Sequence, residues 1–502
     1  MMRLVFLTLF TISLSGFSQE VTQASQEYIR KNGASILDDF KTLLSIPNVA
    51  FDLPNIKTNA EHIRAELEKR GVETKLLRMV GTPPIVYGYY PVENATQTLA
   101  FYVHYDGQPV DKTKWINDPW KPTYYDKSML EGGKAMDFPT KSEEIDEEHR
   151  IYARSAGDDK APIITILTAL DLIQENKLSV TSNLVFFFEG QEEAGSRQLQ
   201  QYLTDHRELV DEIDLWLFCD GPIHQSRRPQ LVFGVRGVTG MEITTYGPNR
   251  PLHSGHYGNW APVPGQLLAD LLTSMKDDKG NIIIEGFYDD VAPLSASEKA
   301  ALANIPLIDE DLKQELGIND PEGDESYNER LLRPSLTIRG LSSGNTGKLA
   351  RNVVPATATA SIGIRLVKGC DPEKQKDLVE RHIQSQGFHI VREDPDLATR
   401  LKYPKIAMVT RSSGYPAART SMDLPIVKQV IDRAKVVAGD DLILLPTLGG
   451  SLPLYLFTDE LAKPAIVVPI ANHDNNQHAA NENMRIGNLW YGIQLMSALM
   501  TM

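Results

Sequence analysis

Four apolar segments of strand length constrain the fold of this chain more than any other feature of its sequence. They are TLAFYVHYD (98–106), SNLVFFFEG (182–190), DLWLFCD (214–220) and KPAIVVPIANHD (463–474). Each is nearly continuous in apolar residues, which is typical of strands buried on both faces. Helical segments such as residues 160–177 lie between them. The sequence therefore predicts an α/β domain with a mostly parallel central sheet.

A different pattern occupies the middle of the chain. Strand and helix signals follow one another in the order β-α-β-β-α-β, at residues 241–247, 263–277, 334–341, 357–367, 372–387 and 405–410. This order predicts a ferredoxin-like α+β domain that interrupts the α/β domain. Residues 278–333 are rich in charge, and we expect them to form a loop-like excursion from the inserted domain.

The N-terminal residues have the organisation of a secretory signal peptide. Arg3 provides a short positive segment, Leu4 to Leu14 form an apolar run, and the small residues Gly16 and Ser18 suit cleavage near residue 18. The apolar run is too short to span a membrane securely, and an uncleaved anchor is the alternative. We therefore expect an exported protein, periplasmic or secreted, that has no membrane association once the signal is removed.

The length and the net charge of the chain limit the number of domains and the kinds of partner that it can have. A chain of 502 residues is too long for one ordinary core. The predicted segments are a signal peptide, the first part of a catalytic domain, a lid and dimerisation domain, and the second part of the catalytic domain, at residues 1–18, 19–238, 239–411 and 412–502. The net charge of −15, with no Lys/Arg-rich run, argues against nucleic acid as a partner. Cys219 and Cys370 fall in different predicted domains, so we expect two buried thiols and no disulfide.

Potential metal ligands follow each of the four apolar segments. In chain order they are His104 with Asp106, Glu192 with Glu193, Asp220, and His478 in the last loop, and Asp158 and Asp159 precede a helix between the first two segments. Because the carboxyl ends of parallel strands meet at one edge of a sheet, we expect these side chains to lie together. Imidazole and carboxylate ligands suit zinc, and this number of ligands suits two metal ions that share a bridging carboxylate. Asp106, two residues from His104 on a strand, can accept the spare ring N–H of that histidine.

Several motifs occur in the same order as in a known family. They are VHYDGQPVD (103–111), AGDDKAP (156–162), EGQEEAGS (189–196), PLHSGHYGN (251–259), NVVP (352–355), IRLV (364–367), GGSLP (449–453) and HAANE (478–482). Together they resemble the di-zinc metallopeptidase family of carnosinase, carboxypeptidase G, dipeptidase V, acetylornithine deacetylase and succinyl-diaminopimelate desuccinylase, and are closest to the carnosinase-like dipeptidases. The resemblance runs from about residue 30 to the C-terminus. It implies the zinc-peptidase catalytic fold with a lid domain that forms a homodimer.

The resemblance also assigns metal ligands and a general base. It implies two Zn²⁺ ions per chain, with Mn²⁺ or Co²⁺ as substitutes, and a water between them. One ion would be bound by His104, Asp158 and Asp220, and the other by Asp158, Glu193 and His478. Glu192 would be the general base and then the proton donor to the leaving amine.

The same resemblance assigns roles in the inserted domain and the loops. His253 would come from the partner subunit and stabilise the oxyanion, while Asn352 and Arg365 would bind the carbonyl or terminal carboxylate of the substrate. Ser451 would contact the substrate from the GGSLP loop. The motifs depart from the family pattern at Pro251, where the family has an acid before Leu-His.

These observations predict an exported zinc hydrolase that cleaves the peptide bond of dipeptides or other small peptides. The resemblance implies that aspartate at position 220 goes, within the family, more with dipeptidases and aminopeptidases than with deacylases and carboxypeptidases. The alternatives are an N-acyl-amino-acid deacylase or carboxypeptidase, and a non-catalytic peptide-binding protein on the same fold. We interpret four further acidic or imidazole residues as structural, namely Asp159, Glu189, His473 and Asp474. The acidic insertion at about 128–149 is expected to shape the rim of the site.

Overall fold

The computed structural model describes the backbone of residues 3–502 and the side chains of residues 20–502. The predicted signal peptide, residues 1–18, lies outside the residues whose side chains are described, and its cleavage stays a prediction. The chain forms two compact units: unit 1 comprises Met1–Phe233, Thr420–Leu445 and Leu456–Met502, and unit 2 comprises Gly234–Arg419 and Pro446–Tyr455. Within the described range, no helix combines the length and the apolar character that crossing a membrane requires.

The first part of unit 1 alternates helices with strands. Its helices are α1 (Arg3–Leu44), α2 (Leu53–Lys69), α3 (Lys160–Asn176), α4 (Leu199–Asp205) and α5 (Arg207–Val210). Its strands are β1 (Glu73–Leu77), β2 (Ile85–Tyr90), β3 (Thr98–His104), β4 (Thr123–Tyr125), β5 (Ala135–Met136), β6 (Arg150–Tyr152), β7 (Asn183–Glu189), β8 (Leu215–Phe218) and β9 (Gln230–Val232).

Unit 2 follows without interruption from residue 234. Its strands are β10 (Gly234–Val235), β11 (Gly237–Tyr246), β12 (Leu252–His253), β13 (Ser335–Ser343), β14 (Val353–Val354), β15 (Thr357–Leu366), β16 (His389–Val391), β17 (Ile406–Arg411) and β18 (Ala418–Arg419). Its helices are α6 (Ser254–Tyr257), α7 (Pro264–Thr273), α8 (Ala296–Ala303), α9 (Asp309–Leu316), α10 (Tyr327–Leu331), α11 (Pro372–Ser385) and α12 (Leu397–Lys402). The last part of unit 1 adds α13 (Pro425–Ala438), β19 (Ile443–Leu445), β20 (Ala465–Val467), β21 (Asn483–Arg485) and α14 (Ile486–Met500).

The central sheet of unit 1 has eight strands in the order β1-β2-β7-β3-β8-β20-β9-β19. The four apolar segments supply the central strands β7, β3, β8 and β20, and each of these strands is parallel to its neighbour. Strand β3 is buried along its whole length, as is typical of a central strand in a parallel sheet. The predicted α/β class with a parallel centre is confirmed. The sheet as a whole is mixed, since β1, β2 and β9 join it in antiparallel pairs.

Helix α3 is a buried helix whose first turn is held by side-chain hydrogen bonds. Of its 17 residues, 13 are buried, because the helix packs against α1 and α14. The first residue of the helix, Lys160, is buried as well, and its Nζ donates to the carbonyls of Leu43 and Ile46 at 2.9 and 2.8 Å. The start of α3, and the aspartates just before it, are therefore fixed in place from the first turn.

Unit 2 is built on a five-stranded sheet in the order β13-β15-β11-β17-β16. The four longest of its strands occur in the chain as β11, β13, β15 and β17, so their spatial order is second, third, first, fourth, as a ferredoxin-like fold requires. Helices α7 and α11 pack against this sheet. The predicted ferredoxin-like insert is confirmed, with β16 as an additional parallel edge strand.

Three local predictions need correction or comment. The spacing of Ile63 and Leu67 in residues 59–70 predicts a helix that ends before Gly71. Helix α2 contains these residues but begins earlier, at Leu53 behind its N-cap Asp52. The segment 278–333 is not simply loop-like, because it contains α8, α9 and α10. Both cysteines are buried and unpaired, as predicted.

Candidate metal centre

The carboxyl ends of the central strands bring the predicted metal ligands into two groups. His104, Asp158 and Asp220 form one group, and Asp158, Glu193 and His478 form the other. Within each group the potential ligand atoms lie within 4.8 Å of one another. His104 ends β3, while the acids come from the loops that follow β7 and β8 and from the loop that precedes α3. The two groups share only Asp158.

Asp158 lies between the two imidazoles. Its Oδ1 is 2.8 Å from His104 Nε2, and its Oδ2 is 3.2 Å from His478 Nε2. His478 Nε2 is also 3.2 Å from Glu193 Oε2. The Asp158 side chain is only 7% exposed, whereas that of His478 is 54% exposed. One buried carboxylate thus presents a different oxygen to each group, which is the arrangement that a bridging ligand requires.

The two ligand groups contain more negative charge than their imidazoles can compensate. Hydrogen bonds that the His478 imidazole donates to Asp158 and Glu193 raise the pKa of His478 to about 10. Burial raises the pKa of Asp220 to about 6, and Asp158 adds to that rise although His104 opposes it. Buried carboxylates need positive charge nearby to stay ionised. Where it is lacking, they keep neighbouring imidazoles protonated or take up protons themselves. Two imidazoles with carboxylates are ligands that zinc accepts, so the residues fit a pair of divalent metal ions.

Glu192 lies beside the ligands without belonging to either group. It is half-buried, and burial raises the pKa of its carboxyl well above the usual value, an effect that His104 opposes and Asp220 and Asp158 reinforce. A carboxyl group with a raised pKa holds a proton more readily and can both accept and return one.

Asp106 holds the loop that carries Glu192 and Glu193. Its two carboxylate oxygens accept the backbone N–H groups of Glu192 and Glu193, each at 3.0 Å. Its Oδ1 is also 3.5 Å from Nδ1 of His104, which is nearer to the Asp106 backbone carbonyl at 3.2 Å. The sequence suggested that Asp106 orients the His104 imidazole. In the structure, its carboxylate contacts the loop of Glu192 and Glu193 more directly than it contacts that imidazole.

A contribution that the sequence did not reveal comes from Glu482. This carboxylate is buried and accepts four hydrogen bonds: from Nη1 of Arg154 at 2.7 Å and from the backbone N–H groups of Ser155, Gly157 and Asp158 at 2.9, 3.0 and 2.9 Å. It therefore fixes the loop that presents Asp158. The HAANE motif contains Glu482, but the side chain carries no signal of its own that distinguishes this role from that of a surface acid.

Asn48 and Gly107 brace the other side of the same loop. Asn48 Nδ2 donates to the carbonyl of Tyr105 at 2.7 Å and to Ser155 Oγ at 2.9 Å. A Cβ at Gly107 would lie 2.2 Å from Ser155 Oγ, so only glycine allows the two loops to approach. Gln108, next in the chain, donates from Nε2 to Glu193 Oε2 at 2.8 Å. These contacts depend on the folded positions of distant loops, so the sequence alone did not identify them.

The residues interpreted as structural lie outside both ligand groups. Asp159 is buried, and its Oδ2 accepts the backbone N–H of His104 at 3.2 Å. Glu189 accepts the hydroxyl of Tyr102 at 2.5 Å, and burial raises the pKa of Glu189 to about 7. Asp474 forms an ion pair with Arg150 at 2.7 Å.

The remaining predicted site residues belong to unit 2, where they form two pairs. His253 is exposed and opposes Val353, next to Asn352, in the β12–β14 pair. The carbonyl of Asn352 accepts the N–H of Ser254 at 3.0 Å. Arg365, on β15, donates from Nη1 to Ser451 Oγ at 2.5 Å. Their roles towards a substrate stay predictions.

The chain is similar to known peptidases over most of its length. The chain is 26% identical to the "Cys-Gly metallodipeptidase" of Schizosaccharomyces pombe over 480 residues. This alignment covers 91% of this chain and 94% of that protein. It is 25% identical over 425 residues to the "Beta-Ala-His dipeptidase" of Mus musculus, covering 83% of this chain and 79% of the relative. The solved structure of an M20 family metallo-carboxypeptidase from Sulfolobus solfataricus superposes with a TM-score of 0.72 at 28% identity, covering 93% of this chain and 98% of the other.

A family profile covers the sequence that builds most of the site. Residues 100–502 match the profile described as "Peptidase family M20/M25/M40". That range contains every predicted metal ligand and Glu192. The protein is thus a metal-dependent peptide hydrolase whose ligands fit two metal ions, zinc being typical of its relatives. The chain belongs to peptidase family M20/M25/M40.

Proposed function

We propose that the protein is an exported dipeptidase that hydrolyses the peptide bond of small peptides, with Glu192 as its general base. The observation that carries this proposal is the pair of ligand groups joined at Asp158, with the Glu192 carboxyl beside them. The two dipeptidase relatives, each aligned over most of this chain, favour dipeptides as substrates.

The roles of the residues follow from their positions. His104, Asp158 and Asp220 would hold one metal ion, and Asp158, Glu193 and His478 the other. Bound metal ions polarise the scissile carbonyl and lower the pKa of water. Glu192 takes the proton from the attacking water and returns it to the leaving amine, which balances the hydrolysis. Asp106 keeps Glu192 at a constant position through the backbone hydrogen bond.

Replacement of Glu192 tests the general-base role. We expect Glu192→Ala to retain two zinc ions per chain by elemental analysis and to lose turnover by roughly 10²–10⁴-fold. Gln191→Ala is the matched control, since Gln191 is a half-buried neighbour that belongs to neither ligand group. A Glu192→Ala protein that turns over dipeptides at the wild-type rate would refute the assignment.

A substrate panel separates dipeptidase activity from its alternatives. Dipeptides, longer peptides and N-acyl amino acids would be assayed with Zn²⁺ and with Mn²⁺. A dipeptidase cleaves the first set with the highest kcat/KM, while a carboxypeptidase also removes the last residue of longer peptides. A deacylase prefers the third set, and a binding protein without catalysis hydrolyses none.

Carboxypeptidase activity is the second candidate function. The metallo-carboxypeptidase from Sulfolobus solfataricus is 28% identical to this chain and superposes over nearly its whole length. The distinguishing measurement is the rate on a tripeptide relative to that on its C-terminal dipeptide. Efficient release of the terminal residue from the tripeptide would replace the dipeptidase proposal with this one.

Export is proposed from the N-terminal residues alone. The basic residue Arg3, the apolar run Leu4 to Leu14 and the small residues before Gln19 support it. Expression of the full chain in a bacterium, followed by fractionation and N-terminal sequencing, tests it. We expect the protein in the periplasm or medium with Gln19 as its first residue; a full-length chain in the cytoplasm would refute export.

A homodimer through unit 2 is also proposed. Strand β13 forms an edge of its sheet, and its side chains Ile338 and Leu341 are 47% and 64% exposed. An edge strand with exposed apolar residues is a surface that another copy of the chain can cover. We expect a dimer by light scattering, and a monomer for Leu341→Lys. Leu401→Lys is the control, because Leu401 is 80% exposed on helix α12 away from this edge.

The dimer proposal allows His253 to act on the partner's substrate. Mixed His253→Ala and Glu192→Ala subunits should then regain activity, because one site per dimer receives both intact residues. Mass spectrometry of differently tagged subunits would verify the exchange. No recovery after verified exchange would refute a role across the interface.

A further inference from the structure

His224, in the loop that contains Asp220, is a buried imidazole of unit 1 with one ring nitrogen left unpaired. The residue is 7% exposed. Its Nδ1 lies 2.8 Å from the hydroxyl oxygen of Ser226 and 3.2 Å from the backbone nitrogen of the same residue. Among the described residues, Nε2 of His224 has no hydrogen-bond partner. A buried polar atom without a partner is destabilising, so this nitrogen indicates a ligand that the protein itself does not supply.

The contacts of Nδ1 decide what Nε2 can offer to such a ligand. When Nδ1 accepts the N–H of Ser226, Nε2 carries a proton that has no acceptor. When Nδ1 instead donates its proton to the Ser226 hydroxyl, Nε2 presents a free lone pair. Histidines that bind metal ions have the N–H of the other ring nitrogen held by an acceptor in this second way.

The His224 imidazole is also held in the charge state that binds metal ions. Burial, and after it the positive charges of Arg228 and His473, lower the pKa of His224 below its usual 6.5. The imidazole is therefore neutral at pH 7, and a metal ion does not have to displace a second proton from it.

A second imidazole, that of His473, lies beside His224. Pro222 and Ala471 form an isolated parallel bridge, and the N–H of Ile223 donates to the carbonyl of Ala471 at 2.8 Å. Two residues further along the two segments are His224 and His473. Residues two apart in an extended segment share a face, so this register places the two imidazoles next to each other.

The side chain of His473 is available as a ligand. The residue is exposed, and among the described residues its side chain forms no hydrogen bond or ion pair. The carboxylate of Asp474, the next residue, is not available, because its two oxygens accept hydrogen bonds from Asn472 at 2.8 Å and from Arg150 at 2.7 Å. Both histidines lie outside the two ligand groups of the metal centre.

We propose that His224 and His473 form a third metal site, separate from the metal centre, for a divalent transition-metal ion such as Ni²⁺, Cu²⁺ or Zn²⁺. Imidazole nitrogens bind these ions well, whereas Mg²⁺, Ca²⁺ and Mn²⁺ prefer oxygen ligands. Each group of the metal centre has three protein ligands and the third site has two, so the third ion binds more weakly and leaves on dialysis.

The third site joins two loops that carry ligands of the metal centre. Asp220 precedes His224 in one loop, and His478 follows His473 in the other. An ion held by both imidazoles therefore cross-links the two loops. Because the unfolded chain does not hold the imidazoles together, binding of this ion stabilises the folded protein and raises its unfolding temperature.

Equilibrium dialysis of the zinc-loaded protein against Ni²⁺ tests the site, with zinc and nickel counted separately by elemental analysis. Another imidazole pair has to be removed first, because the ring centroids of His253 and His256 in unit 2 lie 4.5 Å apart. All proteins in the test therefore carry His256→Ala. We expect this parent protein to bind one nickel ion in addition to its two zinc ions, and no manganese under the same conditions.

Replacement of single histidines locates the third ion. His473→Ala should lose the nickel and retain both zinc ions, and His224→Leu should do the same. His206→Ala is the matched control, because His206 is another half-buried histidine of unit 1, near Glu208 at 3.8 Å, and it should retain the nickel. If His224→Leu does not fold, the unfolding temperature replaces it: Ni²⁺ should raise this temperature for the parent and for His206→Ala, but not for His473→Ala.

Three results would overturn the third site. They are a parent protein that takes up no nickel, nickel uptake that is matched by loss of zinc from the metal centre, and a nickel ion that His473→Ala retains. None of these measurements depends on hydrolysis, so a protein that cleaves no peptide can still contain the site, and an active peptidase can lack it.

Discussion

The two units of this protein each concentrate charge of one sign. The metal centre of unit 1 gathers carboxylates with two imidazoles at the ends of the central strands, and unit 2 places Arg236 and Arg365 together without an acid. Both arrangements are unfavourable for the protein alone, because like charges lie close together in partly desolvated surroundings. Each therefore leaves charge that the protein alone does not compensate, and in unit 1 the ligand set fits cations.

The difference lies in how far the protein itself supports each cluster. Asp106, Asn48 and Glu482 brace the loops of the metal centre with backbone hydrogen bonds. The arginines have one carbonyl and one hydroxyl as side-chain acceptors. A metal site needs fixed ligand positions, and the bracing of the loops in unit 1 supplies them.

Loss of the shared ligand is the most severe test of this comparison. We expect Asp158→Asn to bind less than one zinc ion per chain and to lose at least about 10³-fold in kcat/KM, because both ligand groups contain Asp158. Asp220→Asn affects one group and should retain about one tightly bound ion. Elemental analysis after dialysis measures both. Equal zinc contents in the two variants would contradict the bridging position of Asp158.

Glu482→Gln tests the support around the metals and should have an intermediate effect. The amide can accept fewer of the four hydrogen bonds and leaves Arg154 without its counter-charge. We expect zinc affinity to fall roughly 10- to 100-fold in a competition with a chelator. Glu148→Gln is the control, since Glu148 pairs with Arg227 and Arg485 at the surface. Unchanged zinc affinity in Glu482→Gln would show that the Asp158 loop holds its position without this carboxylate.

The smallest effect is expected for Glu380→Gln, which removes a carboxylate that pairs with two arginines of unit 2 and should lower the free energy of unfolding only slightly. Burial would raise the pKa of Glu380, but hydrogen bonds from Arg392 and Arg411 outweigh it and lower that pKa to about 2, from a usual 4.5. A carboxyl with a depressed pKa contributes stability above its unfolded value that disappears as the pH falls towards its folded value. Glu380→Gln should therefore reduce the free energy of unfolding by about 1–2 kcal/mol at pH 7, a figure that allows for solvent screening.

Chemical denaturation at several pH values checks this prediction. The difference between the wild-type protein and Glu380→Gln should shrink as the pH falls from about 4.5 towards 2. Denaturation of Arg236→Met at pH 7 completes the comparison, because removal of an uncompensated charge should not destabilise unit 2 as removal of a paired one does. A larger loss of stability in Arg236→Met than in Glu380→Gln would reverse our view of which arginines are compensated.

The sequence predicted the parallel centre of the sheet and the acids at its edge for a physical reason. Strands such as β3 and β7 are apolar along their length, and the residues that follow them must leave the core together. In the inserted domain, the order of strand and helix signals along the sequence located the strands of the ferredoxin-like fold. The antiparallel strands β1 and β2 were missed for different reasons: β1 is short and partly exposed, and the apolar run of β2, although largely buried, is short and interrupted by Gly88.

The supporting residues were less predictable from sequence. Glu482 and Asn48 contact the Asp158 loop only after distant parts of the chain have folded. Arg236 becomes notable through what is absent around it among the described residues, and a sequence cannot show which neighbours a charge lacks. Family motifs predicted the metal ligands and the general base, but the contacts that support their loops became visible only in the structure.

The hydrogen bonds of Glu482 also bear on when the enzyme can acquire its metals during synthesis. This carboxylate lies 324 residues after Asp158 in the chain. The Asp158 loop therefore lacks this support until synthesis has passed residue 482 and the two segments have folded together. The nascent chain would therefore be inactive as a peptidase while its own unfolded segments, and those of its neighbours, are still exposed.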